Sequence, residues 1–282
     1  MYAMITALLF GVGNYTLAKQ SGVHGIKASL FQAVPYFILC FAFHIVKACI
    51  DKKSSGQFFP RAKNTYFVKN DSGEYKLSCA RVAIPFIRSL FNIAINGSIS
   101  TTFYFAAKSN VNSGIIACNF SSGLVFVAII FYFKYGQKMF LADWVGSFFI
   151  VLSVILIALG GSGNDEDAVE IDTINLVLAI VFGLITGLVF ALNGLNMKYY
   201  GEIPIPFPAF QMIFDANFCF GLYMFPFFLY YQTNDPTWTF TDSLQGAVVA
   251  VGFGVGLVTL ALGFRKGKGG TVQAIDNTKN II

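Results

Sequence analysis

The stretch "VFVAIIFYFKYGQKMFLADWVGSFFIVLSVILIALG", residues 125–160, holds two long apolar runs on either side of a short basic turn. Its charged residues are Lys134, Lys138 and Asp143, and all of them lie at or near that turn. Crossing the ~30 Å hydrocarbon core of a bilayer takes about 20 mostly apolar residues in an α-helix. The stretch therefore predicts two membrane-spanning helices joined by a tight connection.

The same pattern runs through the rest of the chain. Of its 282 residues, 56% are hydrophobic and only 12% are charged, the mean hydropathy is +0.65, and Phe occupies 32 positions. A soluble domain carries about a quarter charged residues. The apolar runs fall at residues 2–18, 28–49, 83–107, 112–133, 141–160, 173–197, 207–231 and 244–264, and a ninth begins near Gly269. No alternating pattern typical of a membrane β-barrel is present, so we predict an all-α membrane protein built as a helical bundle.

The distribution of positive charge predicts the orientation of the chain. Cytoplasmic loops of membrane proteins are enriched in Lys and Arg. The basic residues in and around the long loop 51–82 fall on the same side as Lys134, Lys138, Lys198, Arg265, Lys266 and Lys268, whereas the other side receives Lys19, Lys27 and Lys108. This asymmetry predicts a cytoplasmic N-terminus and a mobile cytoplasmic loop over 51–82. Whether the membrane is the plasma membrane or an endomembrane stays open.

An internal repeat predicts ten spans. A shift of 157 residues pairs Gly97 with Gly254, Lys108 with Arg265, Ala117 with Ala274, Asn119 with Asp276 and Ser121 with Thr278, and a shift of 179 pairs Asn14 with Asn193, Lys19 with Lys198 and Gly22 with Gly201. Each half then holds five spans, and an odd number forces the second half to thread in the opposite sense. We divide the chain into a first repeat, 1–160, and a C-terminally incomplete second repeat, 161–282. About nine of the ten expected spans are present.

Residues 125–160 resemble the drug/metabolite transporter superfamily, in its EamA-like and nucleotide-sugar transporter group. The resemblance lies in a span, a basic turn containing Gly136, the entry "DWVG" at 143–146 and a glycine-ended apolar span, and "FGVGNYTLAK" at 10–19 is similar to the first span of that family. Gln137 stands where members often have Glu. The resemblance implies a carrier of inverted five-helix repeats for a nucleotide-sugar-like or other organic solute. It also implies that "FDAN" at 214–217 and "DNTK" at 276–279 contact the substrate.

Polar residues deep in the spans are the candidate substrate-binding groups, because charges in a membrane are costly and usually face a cavity or a partner. Asp215 has two interpretations. It either contacts the substrate or couples transport to protons, or it lies at the cytoplasmic edge of the span and is hydrogen-bonded to Gln211. Asp276 and Lys279 either form a local ion pair or hold an anionic group together. The full set of candidates is Asn14, Tyr104, Asn119, Asn193, Asp215, Asn217, Asp276, Asn277 and Lys279.

Other residues in the spans favour structural roles. Buried amides such as Asn14 and Asn193 either pair between helices or line a cavity. Arg88 is expected to reach back to the membrane surface along its aliphatic stem. Gly183, Gly187 and the run "GFGVG" at 252–256 predict close helix packing.

No pattern in the chain indicates an enzyme or a resident cofactor. The five cysteines are scattered without a CxxC motif, His44 is a lone imidazole expected to be packed, and "RKGKGG" at 265–270 lacks the spacing of a phosphate loop. We therefore expect no catalytic residues, no metal site and no nucleic-acid partner. Neither HExxH nor GxSxG nor a pair of catalytic carboxylates is found.

Together these features predict a multi-pass transporter that moves a small polar metabolite by alternating access. Its partners would be the lipid bilayer and a small-molecule substrate, and homodimer formation stays open. The alternative is a non-transporting membrane scaffold or a truncated or degenerate relative of a transporter.

Overall fold

The computed structural model describes residues 2–61, 64–70, 72–136, 172–202, 207–235 and 237–266, together with isolated helical positions between 141 and 156. Within these residues, six helical stretches are long and apolar enough to cross a membrane. The predicted class, a mainly α-helical protein of membrane-spanning type, is confirmed. The ten-span inverted arrangement stays a prediction. The predicted ninth span lies outside the described residues, as does most of the predicted span 141–160.

The helices follow the apolar runs closely. They are α1 (Tyr2–His24), α2 (Ala33–Ser55), α3 (Cys79–Lys108), α4 (Ser113–Ala117), α5 (Ser122–Tyr135), α6 (Thr173–Glu202), α7 (Ala209–Asn234) and α8 (Phe240–Lys266), with 3₁₀ segments at Gly25–Gln32 and Cys118–Ser121. Helical structure is nearly continuous over the 52 residues Met4–Ser55. A straight helix of that length would extend about 78 Å, more than twice the thickness of the hydrocarbon core.

A turn at Gly25 divides this long stretch into separate helices. Gly25 has a backbone φ of +62° and directly follows the last residue of α1. A Cβ atom at this position would approach the ring of Tyr104 to 3.1 Å. Glycine adopts positive φ at little cost and is common just beyond helix ends. The sequence therefore ends α1 here, and α2 follows after the 3₁₀ segment Gly25–Gln32.

The loop 51–82 contains a β-hairpin that the sequence does not predict, and its predicted mobility stays a prediction. Strands β1 (Phe67–Lys69) and β2 (Tyr75–Leu77) form an antiparallel hairpin in which Phe67 faces Leu77. Gly73 turns the chain with a φ of +85°, and the Asn70 side chain accepts a hydrogen bond from the Glu74 amide at 2.8 Å. The sequence did not predict this hairpin, and polar and aromatic residues of the segment pack against the helices, as described below.

Glycine residues let several helices approach at backbone distance. A Cβ atom on Gly252 of α8 would lie 2.8 Å from the Leu9 carbonyl oxygen of α1. A Cβ atom on Gly187 of α6 would lie 2.8 Å from the Gly123 amide nitrogen of α5. These distances are shorter than van der Waals contact, so only glycine fits. The predicted close packing at Gly187 and in the 252–256 run is confirmed.

Aromatic rings pack between α2 and α7, where Gly221 also brings the backbones close, since a Cβ atom at this position would lie 3.0 Å from the Ala33 carbonyl oxygen. The ring pairs are Phe43–Phe214, stacked at 4.8 Å between centroids, Phe37–Phe218 at 5.3 Å and Tyr36–Phe220 at 5.4 Å, the last two edge-to-face. Aromatic pairs at such distances contribute about 0.5–1.5 kcal/mol each beyond the area that they bury.

The outer surface of the bundle carries large apolar side chains. Leu90 on α3 is 56% exposed and Phe133 on α5 is 81% exposed. A contiguous apolar exterior is unfavourable in water and favourable in lipid. This surface is compatible with an integral membrane protein.

We expect Gly187→Ala to destabilise the protein and Gly97→Ala to leave it unchanged or slightly more stable. The added methyl at position 187 meets backbone, and overpacking of this kind costs about 1–3 kcal/mol. At Gly97, in the middle of α3, the new methyl meets no other part of the described chain within 4 Å beyond the local α3 backbone and the adjacent residues, and Ala favours a helix over Gly by about 1 kcal/mol. Thermal unfolding of the detergent-purified variants measures the difference, and equal midpoints would contradict the packing described here.

Candidate functional site

The β-hairpin is attached to the start of α7 by side-chain hydrogen bonds. The Tyr66 hydroxyl donates to Oδ2 of Asp215, and the Thr65 hydroxyl donates to Oε1 of Gln211 at 2.7 Å. Arg81, at the start of α3, donates to the Thr65 carbonyl oxygen at 2.9 Å. Burial and the neighbouring Asp215 carboxylate raise the pKa of Tyr66 above its usual range, so the phenol stays protonated and keeps its role as donor.

Asp215 also contacts α2. Oδ1 of Asp215 lies 2.6 Å from Nε2 of His44 and 4.0 Å from Sγ of Cys40. The Asp215 side chain is 10% exposed and that of His44 is 35% exposed. The interpretation of His44 as a lone packed imidazole was wrong, and so was the alternative in which Asp215 bonds to Gln211. Instead, Cys40 and His44 of α2 and Tyr66 of the hairpin segment meet at one carboxylate.

These residues form the polar end of a large cavity between α2, the hairpin, α3 and α7, here called the hairpin cavity. Its volume is about 790 Å³. Most of its wall is apolar. It is lined by Cys40, Phe41, His44, Ile45, Ala48, Cys49, Phe58, Phe59, Asn64, Tyr66, Phe67, Leu77, Val82, Pro85, Phe86, Asp215, Phe218 and Cys219. A mostly apolar cavity with a few convergent polar groups is the usual form of a small-molecule site.

One face of α3 connects this cavity to the centre of the bundle. The residues of this face recur every three or four positions, which places them in one line along a helix. They are Pro85, Arg88, Asn92, Asn96, Ile99 and Phe103, here called the α3 stripe, and all of them are buried. Polar groups therefore occupy the middle of a membrane-spanning helix on the side that faces its neighbours.

Arg88 is the charged member of the α3 stripe. Its side chain is fully buried, with 0% relative exposure. Nη1 donates to Oδ1 of Asn196 on α6 at 2.9 Å, whereas Nε and Nη2 have no hydrogen-bond partner among the described residues. The expectation that Arg88 reaches the membrane surface was wrong, because its guanidinium bonds to α6 inside the bundle. Unused donors on a buried cation attract an anion.

Amides surround the next part of the α3 stripe. Nδ2 of Asn92 donates to Oδ1 of Asn217 on α7 at 2.8 Å, and Nδ2 of Asn96 donates to the Asn92 carbonyl at 2.9 Å. The side-chain oxygens of Asn92 and Asn96, Nδ2 of Asn217 and both polar atoms of Asn14 have no partner in the described part of the chain. Buried polar atoms are nearly always hydrogen-bonded, so this group has unused capacity for a ligand or water.

A small central cavity of about 10 Å³ lies among these amides. It is lined by Phe10, Asn14, Asn92, Ile95, Asn96, Ile99, Phe190, Phe253 and Leu257. A volume of this size holds about one water molecule. The middle of the bundle is therefore polar but nearly closed.

A third cavity, here called the far cavity, lies between α1, α3 and α4. Its volume is about 500 Å³. It is lined by Gly11, Asn14, Tyr15, Ala18, Lys19, Phe103, Asn112, Ser113, Gly114 and Ala117. Asn14 lines both the far cavity and the central cavity.

The other predicted site residues are placed as follows. Asn119 is fully buried, packs against Gly183 and has no hydrogen-bond partner among the described residues. Asn193 is buried on α6. Tyr104 neighbours Gly25 and lies beneath the Lys108 ammonium, 4.6 Å from its ring centroid. Asp276, Asn277 and Lys279 lie outside the described residues.

Sequence reasoning missed several residues of these cavities. Asn92 and Asn96 follow Arg88 at intervals of four, and this spacing is a readable signal of one polar helix face. Cys40 and His44 are also four residues apart, but their partner Asp215 is 171 positions beyond His44. Sγ of Cys40, a ring nitrogen of His44 and a carboxylate oxygen of Asp215 lie within 4.8 Å of one another, so these residues could hold a metal ion.

Comparison with known proteins adds a likeness in fold. No family model and no curated protein matches the chain. A solved structure titled only "Crystal structure of protein" is similar over 99% of this chain and 84% of its own, with a TM-score of 0.56 and 11% sequence identity. At this identity the likeness shows a shared fold and nothing about function.

We expect Tyr66→Phe to weaken the attachment of the hairpin to α7. The variant keeps the ring and loses the hydrogen bond to Asp215, and a bond to a carboxylate contributes about 1.5–3 kcal/mol. Hydrogen exchange of the β1 and β2 amides should therefore become about tenfold faster or more. Tyr75→Phe in β2 is the matched control and should exchange like the parent protein. Equal exchange in the two variants would show that the Tyr66 hydroxyl does not hold the hairpin.

Proposed function

We propose that this protein is a membrane carrier that moves a small polar metabolite by alternating access. Substrate would bind at the central amides and exchange with the hairpin cavity in one state and with the far cavity in the other. The polar residues of the α3 stripe would contact the substrate.

The order of the cavities along α3 is the observation that carries this proposal. The hairpin cavity touches Val82, Pro85 and Phe86, the central cavity touches residues 92–99, and the far cavity touches Phe103. Pro85 and Phe103 are separated by about 27 Å along the helix, close to the ~30 Å thickness of the hydrocarbon core. With α3 as a membrane-spanning helix, the two cavities would lie toward opposite membrane surfaces with a closed polar centre between them, and this arrangement supports a carrier.

Buried polar atoms that have no hydrogen-bond partner among the described residues support the same proposal. A charged residue at the centre of a membrane helix costs about 2.5–3.5 kcal/mol, and polar residues there usually mark a substrate path. Arg88 has two donor nitrogens without a partner among the described residues, and the adjacent amides offer both donors and acceptors. A metabolite with a carboxylate or phosphate group and several hydroxyls would satisfy this set. We therefore assign the substrate to small polar anions.

Helix packing is compatible with inverted repeats. The predicted repeat relates α1 to α6, α2 to α7 and α3 to α8. In the structure α1 packs along α8, α6 packs along α3, and α2 packs along α7. Under this relation the α1–α8 pair corresponds to the α6–α3 pair. The α2–α7 pair corresponds to itself, because each of its helices is the repeat partner of the other. This reciprocity supports the duplication and, with it, a substrate site between the halves.

Ligand-dependent stability provides the test. Detergent-purified protein is heated with pairs of metabolites that differ by one phosphate or carboxylate group. A ligand that binds the native state at about 100 times its Kd stabilises by about 2.7 kcal/mol. We expect stabilisation by the anionic member of at least one pair, and we expect Arg88→Met to abolish it. Met fills similar space without charge, so the variant should fold.

Lys76→Met is the control, because it makes the same change of charge on the exposed face of the hairpin. It should keep the response of the parent protein. The stabilising metabolite is then tested for uptake and exchange in proteoliposomes. If no metabolite of a broad anionic and neutral panel stabilises the protein or is taken up, the scaffold alternative replaces the carrier.

Cysteine accessibility tests the two-sided arrangement separately. In a background with Ser at the native cysteines, we expect a charged, membrane-impermeant thiol reagent to modify Phe86→Cys from one side of a vesicle and Phe103→Cys from the other. Leu90→Cys is the control, because this exposed position faces away from the α3 stripe and should react from neither side. Modification of both cavity positions from the same side would contradict the proposed path.

A further inference from the structure

We propose that Cys40, His44 and Asp215 form a zinc-binding site at the polar end of the hairpin cavity. This site does not depend on the proposed carrier function. A thiolate, an imidazole and a carboxylate are the three kinds of ligand that Zn²⁺ takes in proteins, and a site with three protein ligands keeps its fourth position for water or another ligand. Soft and borderline donors of this kind do not suit Mg²⁺ or Ca²⁺.

The donor atoms are close to the separations that zinc requires. With Zn–S near 2.3 Å and Zn–N or Zn–O near 2.0–2.1 Å, neighbouring donors of a tetrahedral site lie about 3.3–3.6 Å apart. Sγ of Cys40 lies 4.0 Å from Oδ1 of Asp215, and Nε2 of His44 lies 2.6 Å from the same oxygen. Side-chain movements of less than about 1 Å bring these separations into the zinc range.

The helix backbones bring the three proposed zinc ligands close together. Cys40 and His44 are one turn apart on α2 and so project from the same helix face. Asp215 approaches that face from α7, across an interface held by aromatic packing. Rigid helices on both sides limit the adjustment that binding demands. Cys219 lies one turn beyond Asp215 on the same cavity wall but outside the 4.8 Å group, which leaves the fourth position to water.

The hairpin supplies an outer partner for the carboxylate. Tyr66 donates to Oδ2 of Asp215, whereas His44 contacts Oδ1. The oxygen nearest Cys40 and His44 is therefore the one that Tyr66 does not use. A carboxylate fixed by a second hydrogen bond is the usual arrangement around protein-bound zinc, and loss of such a partner costs about 10–100-fold in metal affinity.

Metal binding replaces protons at this site. The Cys40 thiol loses its proton to solvent as the sulfur coordinates zinc, and His44 binds as neutral imidazole through Nε2, with its proton on Nδ1. The alternative is that the three groups form only a hydrogen-bonded cluster. That cluster would have no preference for zinc and is distinguished by the experiment below.

Cobalt provides a spectroscopic probe for the site. The full chain, purified in detergent and stripped with a chelator, is titrated with Co²⁺. We expect one equivalent to give the visible d–d bands of a tetrahedral ion and a near-ultraviolet sulfur-to-cobalt charge-transfer band. Addition of Zn²⁺ should remove both. Absence of these bands would overturn the proposal and leave the hydrogen-bonded cluster.

Variants assign the ligands. Cys40→Ser should abolish the charge-transfer band, and His44→Gln and Asp215→Asn should each weaken Co²⁺ binding at least tenfold. Tyr66→Phe should weaken it about tenfold or more while keeping both bands. Cys49→Ser is the matched control, because this thiol lies on α2 and lines the same cavity outside the cluster. A charge-transfer band that survives Cys40→Ser would place the metal elsewhere and overturn the assignment.

X-ray absorption of the zinc-loaded parent protein identifies the types of ligand atom around the metal without any variant. We expect one sulfur near 2.3 Å and the remaining scatterers at nitrogen or oxygen distances of about 2.0–2.1 Å. A first shell without sulfur would exclude Cys40 and overturn the proposal even if a variant failed to fold.

Discussion

A membrane offers no water to polar side chains, and the interior of this bundle is organised by that constraint. Arg88 and Asn92 would each be costly on the lipid-facing side of α3, so the helix turns them toward its neighbours, where Asn196 and Asn217 accept their hydrogen bonds. The opposite face of the same helix exposes residues such as Leu90. The division of α3 into a polar inner face and an apolar outer face therefore sets its rotation in the bundle. It also fixes which parts of α6 and α7 can lie beside it.

Asp215 joins three segments that are distant in the chain. One carboxylate oxygen receives the Tyr66 hydroxyl of the hairpin, and the other lies beside His44 of α2. Because these contacts use different oxygens, attachment of the hairpin and coordination of a metal ion are compatible. The hairpin then covers the cavity and supports its most polar wall. The polar segment 51–82 therefore connects two helices and also forms part of the wall of the hairpin cavity.

The sequence predicts the helices well because apolar length is a local property. The runs at 83–107 and 173–197 reappear as α3 and α6 with small changes at their ends. The hairpin was missed because β1 and β2 have three residues each, too few for a periodic signal. The Cys40, His44 and Asp215 cluster was missed because it forms only when α2 and α7 pack together. Asn92 and Asn96 could have been found by following the helical period from Arg88.

The helix contacts in this protein differ in the atoms that set their spacing. Where Gly252 meets α1, backbone approaches backbone, and any sliding would drive main-chain atoms into one another. The contact between α2 and α7 changes along its length. At one end Gly221 lets α7 approach the Ala33 carbonyl oxygen of α2, and at the other end the rings of Phe43 and Phe214 stack on each other. Side chains rather than backbone therefore set the distance between α2 and α7 beside Asp215.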